Sequence, residues 1–362
     1  MKIAIIGGGP AGLLTSYYLA INGCETTVFE EHTRIGYPKH CTGLVTARSI
    51  AKVPVDTKEC IEKKFGKLII HGQGREAFEI IIPTVAKIDR VCFEEKIYAE
   101  AVNQKTRFRL GARIDTKRKG DEIKLLNVIE DVDFIIDARG FEAAIKNSEK
   151  VSKNKLVGIN LIIKGKTSMD DNAIHVFFDN KITPGFFAWL VPINEHEVLV
   201  GGGFKNPPTQ EEIIRYFHRK GFLINHGQIA DKYGGVILRG PPIRDFHGKN
   251  WLAIGDAISM VKPITGGGLY PIISSIPFKY NNGNCYEALI RLKTGIRNTL
   301  EKLRKQYLLS KFIHKRIFPY ALDAFIPLIK MVLEVVYLDY DEHDKLVSQL
   351  IENIAKRNVY PA

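Results

Sequence analysis

Missing from this chain are any Cys-x-x-Cys pair, any cysteine and histidine cluster at zinc spacing, and any basic arm. Cys24, Cys41, Cys60, Cys92 and Cys285 are scattered, so neither a metal site nor a disulfide framework is expected, and a reducing cytoplasm fits best. Uninterrupted apolar runs are missing as well. The one lengthy apolar stretch, Ile317 to Leu338, contains Asp323, Lys330, Glu334, Pro319 and Pro327, which argues against a membrane-spanning helix. With Lys311, Lys315 and Arg316 beside it, it suits peripheral contact with an anionic membrane, or simply a helix packed on the protein. Lys2–Ile6 is too short for a secretion signal and opens the fold directly. Acidic residues are outnumbered, 40 against 52 basic ones, for a net charge of +12. The lysines are spread along the chain and no nucleic-acid motif accompanies them, so no nucleic-acid role is expected.

What is present is a core. At 362 residues, 45% apolar and 25% charged, the chain is neither disordered nor polytopic and is long enough for two interlocked domains and a tail. Lys2–Ile6 reads as a buried parallel strand, followed at once by Gly7-Gly8-Gly9-Pro10-Ala11-Gly12. A helix over Leu13 to Asn22, stopped by Gly23, and a strand over Glu25 to Glu30 complete a βαβ unit. In that context Gly7 makes the tight turn, Gly9 lets the backbone approach a pyrophosphate, and Gly12 lets helix and sheet pack closely. The helix N-terminus favours the phosphates. Glu30, at the strand end, can accept bonds from both ribose hydroxyls and disfavours a 2′-phosphate. This identifies a dinucleotide site without separating FAD from NAD.

Further along, Trp251-Leu252-Ala253-Ile254 reads as a strand ending in Gly255-Asp256, and Pro263-Ile264-Thr265-Gly266-Gly267-Gly268-Leu269 opens a helix. The pair resembles the second FAD fingerprint of glutathione-reductase-like and hydroxylase-like flavoproteins. That resemblance implies FAD, with Asp256 on the ribityl chain and the helix start at Gly267, Gly268 and Leu269 facing the pyrimidine end of the isoalloxazine. Ile88-Asp89-Arg90, a helix carrying Phe93, Ile97, Ala101 and Val102, and a strand over Arg109 to Ile114 continue the likeness. They imply Arg90 near FAD and Ile114 on the strand passing the adenine. Asp133 to Gly140 departs from the pattern, since Arg139 stands where such proteins carry aspartate, and it is left out of the expected site.

Two stretches narrow the family. Ile35-Gly36-Tyr37-Pro38-Lys39-His40-Cys41-Thr42-Gly43 and Pro184-Gly185-Phe186-Phe187-Ala188-Trp189-Leu190-Val191-Pro192 together resemble the geranylgeranyl reductase family, which carries a cysteine loop near the flavin and a PxxYxWxFP motif over the substrate cavity. Phe187 replaces the tyrosine and Val191 the phenylalanine of that motif, so a role for that hydroxyl is absent. The likeness covers about residues 1 to 275. It implies cofactor contacts at Gly7, Gly9, Ala11, Gly12, Glu30, Cys41, Thr42, Arg90, Ile114, Asp256, Gly267, Gly268 and Leu269. It also implies a prenyl substrate against Phe187, Trp189 and Pro192. The aromatic faces suit a prenyl chain, and a core strand is the plainer alternative.

The implied reaction is reduction of C=C bonds in a geranylgeranyl-type chain, a prenyl lipid or a prenyl diphosphate. It needs a hydride from reduced FAD and a proton, for which Cys41 is the catalytic candidate, with water, the flavin and His40 left open. NAD(P)H or a ferredoxin-like acidic carrier would supply electrons. The alternatives are a flavin monooxygenase or halogenase, and a non-catalytic flavoprotein that binds prenyl lipid or quinone. The expected fold is α/β: an FAD-binding Rossmann-like domain of the glutathione reductase and p-hydroxybenzoate hydroxylase type, with an inserted sheet-rich substrate domain and a helical C-terminal tail. The expected boundaries are 1–65, 84–150 and 248–285 for the FAD domain, 66–83 and 151–247 for the substrate domain, and 286–362 for the tail. Leu289, Leu292, Ile296, Leu300, Leu303 and Tyr307 recur there at helical spacing.

Overall fold

In the computed structural model, Lys2–Ile6 is a strand buried from Ile3 onward, because it lies in the middle of a parallel sheet covered on both faces. The structure describes residues 1–341 apart from 75–76, 128–130, 166–169, 224–226, 280–282, 333–335 and 338. Glu334, Leu338 and residues 342–362, which entered the reading of the tail, lie outside the described residues. Among the described residues the sheet has five strands, in the order Trp251–Ala253, Phe134–Asp137, Lys2–Ile6, Glu25–Glu30 and Arg107–Leu110, all parallel. The expected strand over Arg109 to Ile114 therefore sits earlier, and Ile114 follows it in a loop.

The first helix runs from Pro10 to Ile21 and starts three residues earlier than expected, since proline at the first helical position is preorganised for it. It is buried on nearly every side between the sheet and its neighbours, which is why its sequence carries no polar stripe. Gly12 makes this packing possible: a Cβ there would lie 1.8 Å from the Gly7 carbonyl oxygen. The helix over Arg90–Asn103 is capped by Asp89, whose carboxylate accepts the Val91 and Cys92 N–H groups.

Among the described residues a second sheet of nine strands runs Gln228–Ile237, Leu156–Lys164, Glu197–Phe204, Ala188–Pro192, Ala173–Phe177, Ile61–His71, Ala77–Ile88 and Val336–Tyr337, with Leu44–Thr46 paired off Ala77–Ile88. It takes in more of the chain than residues 66–83 and 151–247. The Ile61–His71 and Ala77–Ile88 hairpin is long, and its register shifts between Ile61 and Lys63 and between Phe65 and Lys67. The tail begins as a helix over Cys285–Ile313 that buries Leu289, Leu292, Ile296, Leu300 and Leu303. A helix over Phe318–Val332 follows. The chain then returns to the second sheet, where Val336–Tyr337 pairs with Ile80 and Ile81, so the tail is not wholly helical.

The cysteine reading requires correction. Cys24 is joined to Cys285 and Cys60 to Cys92, with sequence separations of 261 and 32, and Cys41 alone is free. Spacing carries no information about partners that only the fold brings together. Two cysteine pairs out of the scattered set no longer speak for a reducing compartment. Among the described residues, no helix is long and apolar enough to cross a membrane.

Candidate cofactor and substrate cavity

One continuous cavity of about 2070 Å³ runs from the glycine turn to the second sheet. It exceeds the roughly 300–1,000 Å³ of an ordinary small-molecule pocket, so it has room for a dinucleotide and a second, extended ligand.

At one end lie Gly7, Gly8, Gly9, Ala11 and Glu30. Gly7 has φ +107, and a Cβ there would fall 2.3 Å from the Ala138 carbonyl oxygen, so only glycine makes this turn. Gly9 is the opposite case. A Cβ there would meet nothing within 4 Å, which leaves its open side for a ligand at the helix start. Gly12 sits behind the turn and acts through packing rather than by lining the cavity. Glu30 borders the cavity with its carboxylate partly engaged: Oε2 accepts the Gly8 N–H at 2.5 Å and Oε1 accepts the His32 N–H at 2.9 Å. Ile114 and Arg139 line this end too. Arg139 grips Asp137 with Nε and Nη2 at 2.9 and 2.7 Å, so the substitution that removed this stretch from the expected site supplies a cavity wall.

In the middle, Cys41, Thr42, Arg90, Asp256, Gly267, Gly268 and Leu269 converge. Arg90 is buried and bonded to Glu94 through Nη2, while its Nε has no partner. Burial works against its charge, but Glu94 and Cys41 more than offset that and hold its pKa above the ordinary guanidinium value. Thr265 Oγ1, also on the cavity, is buried and without a partner. The Asp256 carboxyl is raised above the usual carboxylate range by burial, with His40 and Arg90 opposing. These polar groups suit a ligand rich in hydroxyl and carbonyl groups. Lys262, whose sequence attracted no notice, closes the glycine loop: its ammonium bonds the buried Asp341 carboxylate at 3.0 Å and lies 4.3 Å from the centre of the Tyr340 ring. Asp341 in turn accepts from Thr46 and Ser49.

The far end is an apolar chamber walled by Leu68, Ile70, Phe78 and Ile80 from the hairpin, and by Phe178, Phe187 and Trp189. Phe186 and Phe187 stack at 4.2 Å, and Trp189 holds its indole by donating Nε1–H to Asn160 Oδ1 at 3.1 Å. Gly201-Gly202-Gly203 on the neighbouring strand makes room for these rings. A Cβ at Gly201 would fall 2.7 Å from Trp189 Nε1, and one at Gly203 2.5 Å from Phe186 Cδ1. That triplet inside a strand was a legible signal of close approach. Pro192 does not reach the cavity. Side chains alternate along a strand, and Pro192 shares parity with Ala188 and Leu190, which pack into a different core from Phe187, Trp189 and Val191.

Comparison with known proteins agrees with this geometry. A family model for an NAD(P)-binding Rossmann-like domain matches residues 5–56. An uncharacterised protein of Methanocaldococcus jannaschii is 27% identical over 292 residues, covering 74% of this chain and 71% of the relative. A digeranylgeranylglycerophospholipid reductase of Methanopyrus kandleri is 24% identical over 300 residues, covering 74% and 73%. Among solved structures, a geranylgeranyl bacteriochlorophyll reductase-like protein of Thermoplasma acidophilum superposes with a TM-score of 0.75 at 17% identity over 98% of each chain. A flavin-dependent brominase gives 0.61 at 15% identity, over 99% of this chain and 100% of that one, a likeness of fold. The parallel sheet, the glycine turn and the inserted second sheet are the fold shared with these solved structures. In sequence the chain is similar to digeranylgeranylglycerophospholipid reductases at 24 to 25% identity over about three quarters of its length.

Proposed function

We propose that this enzyme reduces carbon–carbon double bonds of a geranylgeranyl-type chain carried on a prenyl lipid or prenyl diphosphate. The observation that carries the reading is the continuity of the glycine cradle with the aromatic and aliphatic chamber in one cavity. FAD would be held by the turn at Gly7 to Gly9 and the helix start behind it, by Glu30 and Ile114 at the nucleoside end, and by Arg90, Asp256, Gly267 and Gly268 toward the ring. The partnerless Arg90 Nε and Thr265 Oγ1 fit a polar group placed there. Bound reduced flavin supplies a hydride for one alkene carbon.

The chain's own residues do the remaining work. Phe187 and Trp189 offer broad apolar faces that would hold an otherwise featureless hydrocarbon and exclude water. Cys41 faces the cavity and accepts the Gly43 N–H at 3.4 Å. Its sulfur also interacts with Arg90. Cys41 Sγ, on the cavity wall, is the group placed to give the second alkene carbon its proton. Electrons would come from NAD(P)H or a ferredoxin-like carrier, and the net charge of +12 favours an acidic partner.

The test is to reduce the purified protein under argon, add prenyl lipids and follow their masses. Gain of two hydrogens per double bond, with recovery of the oxidised flavin spectrum, is expected. Reduced flavin that persists with every prenyl lipid offered would favour a carrier or sensor. Rapid oxygen consumption triggered by substrate would favour monooxygenase chemistry.

A further inference from the structure

The roof of the apolar chamber is thin. It is built where the helix over Cys285–Ile313 ends and the helix over Phe318–Val332 begins, and Ile313, Phe318 and Leu322 line the chamber from its inner side. The outer side of the same segment is also apolar. Leu308, Phe312, Ile317, Tyr320 and Phe325, within 18 residues of chain, are each between 50 and 68% exposed, a density of large exposed apolar side chains that soluble surfaces rarely carry. The two sides touch. Exposed Phe312 packs edge-on against Phe318 at 5.9 Å, and Phe318 meets Phe178 of the chamber wall at 5.1 Å. Apolar side chains therefore run in contact from the outer surface to the chamber wall.

Lys311, Lys315 and Arg316 lie between these apolar residues along the chain, exposed and without an ion pair among the described residues. A protein partner with an apolar patch would leave these cations uncompensated unless it also carried acids. An anionic bilayer supplies both components at once, hydrocarbon at the depth of the aromatic side chains and phosphate at the level of the cations. We infer that this face seats on an anionic membrane and that the prenyl chain passes from the bilayer across the roof into the chamber. The passage of substrate rests on the proposed reaction; the membrane contact itself does not.

Flotation of the flavin-loaded full chain with vesicles of equal phosphatidylglycerol and phosphatidylcholine tests the contact without any turnover. The protein is expected to float with these vesicles, to be released by salt, and to ignore vesicles of phosphatidylcholine alone. Replacing the cations together (Lys311→Gln, Lys315→Gln, Arg316→Gln) should weaken partition about 100-fold, at about fivefold per cation. Phe312→Ser with Tyr320→Ser should weaken it at least tenfold. All variants should keep the flavin spectrum and the melting temperature of the parent, and should reduce a detergent-dispersed prenyl substrate normally while losing rate on the vesicle-embedded one. Parent protein that stays unbound, or variants that float as well as the parent, would overturn the inference. So would a concentration-dependent dimer that the same substitutions abolish, which would make this face a contact between copies. Floating protein that reduces no prenyl lipid leaves the membrane face standing and refutes the proposed reaction instead.

Discussion

The two ends of the cavity are built on different principles. At the nucleotide end the ligand would meet backbone, and the sequence must spend glycines where a Cβ cannot fit: 2.3 Å from the Ala138 oxygen at Gly7, 1.8 Å from the Gly7 oxygen at Gly12. At the apolar end the walls are side chains drawn from strands far apart in sequence, Leu68 and Ile70 as well as Phe187 and Trp189. Backbone recognition tolerates almost no change at a few positions, whereas a side-chain wall distributes its tolerance over many.

Substitutions should expose that contrast. The largest effect is expected at Gly12→Ala. The methyl has nowhere to go, and the strain should cost about 3 kcal/mol or more and leave the protein colourless or insoluble. A stable yellow variant would break the distinction.

Acid should act on the other half. Burial, aided by His175 and Lys220, holds the His71 pKa down at about 3, and burial with Arg239 holds His314 at about 4. An unfolded histidine titrates near 6.5, so between these values the unfolded chain binds protons that the folded chain refuses. Stability is complete above about pH 6.5 and falls by a few kcal/mol as the pH drops toward 4. Melting curves against pH check this, and His71→Phe should flatten them. His71 and His175 sit on paired strands of the second sheet, 3.2 Å apart. Loss of the chamber should therefore precede loss of the nucleotide domain.

Asp256→Ala should weaken FAD binding to the apoprotein about 100-fold, measured by fluorescence titration, without lowering the melting temperature, because the buried carboxyl gains nothing from the fold. A clear drop in stability would mean that Asp256 serves the fold. The smallest change is expected for Trp189→Phe. It should reduce kcat/KM for a long prenyl substrate about tenfold, mostly through KM, and leave the flavin spectrum of the resting enzyme unchanged.

The same contrast explains what could be read from the chain alone. Gly7 and Gly12 were legible because each answers to a local backbone demand that neighbouring residues reveal, and Gly9 came with them in the same turn, whereas Asp256, Gly267 and Gly268 were reached through the resemblance of their stretch to a known fingerprint. Arg139 was lost because its stretch departs from the familiar pattern, although its position on the cavity wall is set by the strand before it. Pro192 was included because a linear motif hides the alternation of a strand. The hairpin walls, the closure of Lys262 on Asp341 and both disulfides depend on partners from 32 to 261 residues away, and nothing in their immediate sequence names those partners.

The central claim, that cofactor and hydrocarbon share one cavity, is open to a direct measurement. A fully saturated prenyl analogue, unable to react, is titrated into the flavin-loaded protein while the visible absorption band is recorded. The account predicts sharpening of the band as water leaves the ring, saturating with one analogue bound per chain and weakened in Trp189→Phe. A spectrum that does not respond while the analogue demonstrably binds would place the hydrocarbon elsewhere and contradict it.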